Sequence, residues 1–171
     1  HRDLHSFPTR RSSDLSEENK LSAFQADAMS LLVHCSILDS DPDRAARECE
    51  ELRAKLPELG EQGRTWSVFF AFGWLAYLSG ELEAARREFE TSLQLANKKG
   101  EFGREDAIAA LGLVDLAEGR NAAAAARLDE ALAEAALVEC VPGSWALELC
   151  GRLRSGLTAA RYDTGRFSSQ K

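Results

Sequence analysis

The feature that most constrains this chain is an ungapped match of the sequence to itself. The segment FFAFGWLAYLSGELEAARREFETSL from Phe69 aligns with IAALGLVDLAEGRNAAAAARLDEAL from Ile108. Gly73 falls on Gly112, Gly80 on Gly119, Ala85 on Ala124, Phe89 on Leu128 and Leu93 on Leu132, every pair 39 residues apart. A fainter earlier copy puts Met29, Leu32, Val33, Ala45 and Cys49 in the same slots at an offset of 40, and a partial fourth begins at Leu147, Cys150 and Gly151. A unit of this length repeated in tandem buries its apolar face by stacking on its neighbours, which makes an extended array the expected architecture.

Within a copy, apolar residues at i, i+3, i+4 and i+7 predict a first helix over Trp66 to Leu78, ended by Ser79 and Gly80. A second follows over Glu81 to Ala96, acidic at its start and followed by Lys98 and Lys99, as the helix dipole prefers. In the first copy Asp41 can cap the second helix and Pro42 can occupy its first position, where a missing N–H costs nothing. The expected fold is all-α, an α-solenoid of antiparallel helix hairpins with a period of 39 to 40. It should span residues 16–157 as three full copies and part of a fourth, with a C-terminal tail over 158–171.

The opening stretch HRDLHSFPTRRSSDL stands apart. It lacks alanine and helical periodicity, and one choice of codons turns it into a common adapter oligonucleotide of sequencing libraries. Residues 1–15 are therefore set aside as an adapter-derived, disordered segment, with the natural start expected upstream.

Without its three Arg and two Asp, the chain's 21 basic and 28 acidic residues become 18 and 26. An acidic balance of this size disfavours nucleic acid, whose binders need a basic stripe to displace counterions. The longest apolar run, VFFAFGWLAYL, has eleven residues, short of a membrane span. Cys35, Cys49, Cys140 and Cys150 show no C-x-x-C spacing and mostly occupy small apolar slots, so reduced core thiols in a soluble, cytoplasmic chain are expected.

The pattern large-x2-large-Gly, Gly seven later, Ala-x3-large and small-Leu resembles the tetratricopeptide repeat. Phe69, Phe72, Gly73, Gly80, Ala85, Phe89, Ser92 and Leu93 fill it in one copy; Ile108, Leu111, Gly112, Gly119, Ala124, Leu128, Ala131 and Leu132 fill it in the next. The long period departs from the usual 34, the closing proline is replaced by Asn97 and Ala136, and the aromatic after the glycine by Ala76 or Asp115. Repeats of this longer kind are similar to those in the effector-sensing arms of LuxR-type ATP-dependent bacterial transcription activators and related signalling ATPases. That resemblance implies a module that receives a protein, peptide or small effector and controls domains elsewhere. The chaperone-tail clamp of Lys and Asn would fall on the apolar Phe70, Trp74 and Leu113, so that specificity is not implied.

No catalytic residue, metal ligand set or cofactor motif is expected. His34 is the one histidine after Leu15, and no phosphate-binding glycine loop occurs. Asp39, Asp41, Asp43 and Glu50 match positions 1, 3, 5 and 12 of a calcium loop, but Arg44 stands where the turn needs glycine. The informative stretch is WSVFFAFGWLAYL, apolar nearly all round. Phe69, Phe72, Gly73 and Ala76 are expected in the stack. The opposite face, Phe70, Trp74, Tyr77 and Leu78, with His34 and Ile37 before it and Leu113 and Leu116 after it, is expected to line an apolar concave groove for a partner.

Overall fold

The computed structural model describes residues 9–99, 103–137 and 149–158. It is all-α: α1 (Thr9–Leu38), α2 (Pro42–Leu59), a 3-10 turn (Gly60–Gly63), α3 (Trp66–Leu78), α4 (Leu82–Lys99), α5 (Arg104–Ala117), α6 (Asn121–Leu137) and helical residues 149–158, here α7. Among the described residues there is no strand. Helices pair in chain order as hairpins, α1 with α2, α3 with α4 and α5 with α6, and successive hairpins stack through α2 on α3, α1 on α3 and α4 on α5.

The hairpin turns recur in their hydrogen bonds. The N–H groups of Asp41, Glu81 and Arg120 donate to the carbonyls of Ser36, Ala76 and Asp115, and those of Ser40, Gly80 and Gly119 donate to Ile37, Tyr77 and Leu116. This is the Schellman arrangement, which needs a left-handed residue at its centre. Gly80 and Gly119 supply it with φ of 78° and 76°, and Ser40 takes the same slot at 58°. Next, Ala45, Ala85 and Ala124 each donate four residues back and are fully buried, so the second helix crosses the first closely. The expected capping also holds, since the Asp41 side chain accepts from Arg44 N at 3.0 Å with Pro42 at the first position of α2.

Where the helices cross, size is traded between partners. Gly73 faces the Phe89 ring, and in the first hairpin the corresponding buried pair is Val33 and Cys49. Gly112 meets the Leu153 side chain of α7, so the start of the fourth copy closes over α5. Two apolar clusters result. One gathers Ala26, Val33, Ala45, Cys49, Leu52, Phe69 and Phe72; the other gathers Phe70, Trp74, Phe89, Ile108, Leu111, Leu128 and Leu153. Arg53 of α2 lies over the Phe72 ring at 3.9 Å, and Arg64 over that of Phe69 at 5.1 Å.

Three expectations change. Helix α1 begins at Thr9, so residues 9–15 are helical, and of the adapter-like stretch residues 1–8 lie outside the described residues. Extending an established helix back to Thr9 costs little, since nucleation is the difficult step. Counting uninterrupted apolar residues also overlooked α1: by length and composition Glu17–Leu38 is long and apolar enough to cross a membrane. Cys49 and Cys150 are buried, but Cys35 is exposed; Cys140 and most of the expected tail lie outside the described residues.

Candidate functional site

The eight residues expected to line an open groove do not form one. His34, Phe70, Trp74 and Leu113 are buried, Ile37, Tyr77 and Leu116 are half-buried, and Leu78 is exposed. The reason is an aromatic ladder through the stack. Phe70 has ring-centroid distances of 5.5 Å to His34, 6.0 Å to Trp66, 5.6 Å to Phe89 and 6.3 Å to Trp74, and Trp74 meets Tyr77 edge-on at 5.6 Å. A helix apolar on every side is a buried helix, and α3 packs on α4 within its hairpin and on α1 and α2 of the hairpin before it.

What opens to solvent is a cleft of about 320 Å³ lined by Asp27, Ser30, Leu31, His34, Trp66, Ser67, Phe70 and Asp106. Helix α1 contributes four of these at helical spacing, and the first two turns of α3 and the first turn of α5 contribute the others. Ser67 Oγ donates to Asp27 Oδ1 at 2.6 Å, with Ser30 Oγ and Thr65 Oγ1 each 3.0 Å from it. Trp66 is fixed from behind by Gly103, which caps α5 at φ 99°; a Cβ there would lie 2.5 Å from the indole. The Trp66 carbonyl accepts from the buried Ser92 Oγ at 2.9 Å, tying this corner to α4.

Burial lowers the His34 pKa from 6.5 to about 4, so its imidazole is neutral across the physiological range. Sequence reasoning found His34 and Phe70 but missed Asp27, Ser30, Leu31, Trp66, Ser67 and Asp106. The available signal was the polar spacing Asp27, Ser30, His34 on an otherwise apolar helix. A second cleft of about 310 Å³ holds Ile37 and Leu78 beside Ser40, Pro42, Ala45 and Leu75.

Asp115 is the other polar centre, 2 % exposed on α5. Its Oδ1 accepts from Arg86 of α4 at 2.7 Å and from Arg120 at 2.8 Å, and its Oδ2 from Arg127 of α6 at 2.8 Å. Glu118 shares Arg86 and Arg120. The cluster joins three helices, and every guanidinium in it has a carboxylate. Among the described residues no group of three His, Cys, Asp or Glu is placed to hold a metal. The calcium template in particular is divided, Asp41 capping α2 and Glu50 lying within that helix. No protein-family model matches the sequence, and no curated protein does either.

Proposed function

We propose that the chain is a non-catalytic interaction module of tetratricopeptide type, binding a protein or peptide partner, or a small effector, at the cleft between α1, α3 and the start of α5. The observation that carries this reading is the cleft's lining, in which aromatic surface from Trp66 and Phe70 meets convergent polar groups from three helices. The groups present suit binding better than proton transfer. An imidazole with a pKa near 4 is a weak base at neutral pH, and the Ser67 hydroxyl is committed to a carboxylate. Reduced thiols at Cys35 and Cys49 favour a reducing, cytoplasmic setting.

The second reading, the effector-sensing arm of an ATP-dependent transcription regulator or signalling ATPase, is favoured by the long spacing of the hairpin turns at Ser40, Gly80 and Gly119. A P-loop or helix-turn-helix encoded beside this segment would decide between the two. The cleft itself is tested by a thermal-shift screen of short peptides and metabolites against the native chain and Ser67→Leu, which adds bulk to the cleft lining. Ligands that stabilise the native chain and lose their effect in the variant support the reading; ligands indifferent to Ser67→Leu, or none at all, count against it.

A further inference from the structure

The polar side of the cleft between α1, α3 and α5 has already spent its hydroxyl hydrogens. Ser67 donates to Asp27 Oδ1 at 2.6 Å, and Ser30 donates either to the Asp27 carbonyl at 2.8 Å or to Ser67 Oγ at 3.0 Å. A hydroxyl has one hydrogen and two lone pairs, so both serines can only accept from a ligand. Asp27 and Asp106 add carboxyl oxygens, which accept only when ionised. Among the described residues no lysine or arginine lines the cleft, and burial keeps His34 uncharged at neutral pH.

Asp27 differs here from the chain's other polar centre. The fold surrounds the Asp115 carboxylate with three guanidinium groups. Asp27, exposed on α1, holds the Ser67 hydroxyl and among the described residues has no basic partner. Beside it stand Trp66 and Phe70, their rings 6.0 Å apart and tilted by 60°. An aromatic face carries the negative part of the ring quadrupole, which attracts cations and repels anions. Carboxylate, lone pairs and rings therefore favour the same ligand group, one that is positively charged and rich in donors. A primary ammonium brings three donors and no acceptor, a guanidinium five and none. An anion would meet like charge, and a neutral carbonyl would find neither serine hydrogen available.

We propose that this cleft binds an organic cation, an ammonium or guanidinium group seated at Asp27 with its alkyl stem along Trp66 and Phe70. The inference rests on the reading of the cleft as the binding site and names the ligand chemistry that site takes.

The test is calorimetric titration of the full chain with five probes. Four are capped pentapeptides, Ala-Ala-X-Ala-Ala, with lysine, arginine, norleucine or glutamate at X; the fifth is spermidine, a free amine. The lysine and arginine peptides should bind several-fold more tightly than the norleucine peptide, and the glutamate peptide least. Asp27→Asn keeps the side-chain size and an acceptor for Ser67, and circular dichroism should show its helices intact. It should weaken cation binding roughly three- to tenfold and leave the norleucine peptide unaffected. Added salt should likewise weaken the cations alone. Spermidine bound with the same dependence on Asp27 would support the proposal with free amines as ligands, and binding of the basic peptides without it would support a protein's lysine or arginine side chain. Norleucine or glutamate peptides bound as tightly as lysine, and lost in Ser67→Leu, would overturn the cation while leaving the cleft as the binding site. Cation binding indifferent to Asp27→Asn would also overturn it. Silence from all five probes would remove the reading of the cleft and this inference together.

Discussion

A Cβ on Gly73 would stand 2.5 Å from the ring of Phe89, so the crossing of α3 and α4 has no room for any side chain at that glycine. Gly73→Leu should therefore destabilise by about 1–3 kcal/mol through overpacking, and Phe89→Ala by about 3–5 kcal/mol through the cavity it opens. Because the two residues occupy one volume, the double variant should be more stable than the sum of the singles, as urea denaturation of all four proteins would measure. Strict additivity would mean the helices move apart instead of sharing that volume.

Ser40 occupies a left-handed slot that Gly80 and Gly119 fill in the other hairpins. A left-handed conformation costs an L-residue roughly 1–2 kcal/mol, and a Cβ at Gly80 would touch nothing within 4 Å, so conformation alone is at stake there. Ser40→Gly should raise stability by about 0.5–1 kcal/mol and Gly80→Ala lower it by about 1 kcal/mol. Thermal melts showing the same sign for both substitutions would contradict this account.

Asp115→Asn should cost about 1–3 kcal/mol. The figure is held down because Arg86, Arg120 and Arg127 keep 21, 47 and 28 % of their side-chain surface in water. A double-mutant cycle with Arg127→Met separates the pair's coupling from the general cost of losing the carboxylate; coupling near zero would show that Arg127 is a bystander.

Stability should fall on mild acidification because of His34. Its pKa is about 4 in the fold and 6.5 when exposed. Between those values the unfolded chain binds a proton that the folded chain does not, so unfolding becomes easier as pH drops from about 6.5 to about 4 and levels off below. The full loss is roughly 3 kcal/mol at 1.36 kcal/mol per unit. His34→Leu should flatten that part of the pH profile, and an unchanged slope in the variant would assign it to other groups.

Trp74, 3 % exposed among Phe70, Phe89 and Tyr77, should behave as core: Trp74→Ala should cost about 3–5 kcal/mol in a melt. Near-neutrality would reinstate the open groove.

The hairpins were legible because their turns are written in residue types with few uses. Ser79 with Gly80, and Asp41 with Pro42, mark a helix end and a helix start, and the observed bounds Trp66–Leu78 match the periodicity. The burial of Phe70 and Trp74 was harder to see. The sequence showed an all-round apolar helix, but whether its second face met solvent or neighbouring helices depends on contacts with His34 and Phe89, remote in sequence. The Asp115 cluster was invisible for the same reason, its partners being 5, 12 and 29 residues away. In the alignment Asp115 was only a departure from an aromatic slot.

Helix α3 belongs to both apolar clusters, giving Phe69 and Phe72 to one and Phe70 and Trp74 to the other. In a linear array each hairpin could fray on its own, from either end, with its amides exchanging against deuterium at its own rate. A helix that is wall to both clusters cannot open without releasing the two together. Backbone amides of Phe69 to Gly73 should thus exchange only through complete unfolding, while α1 and α7 report partial openings, and the chain should melt cooperatively so long as that shared wall is intact.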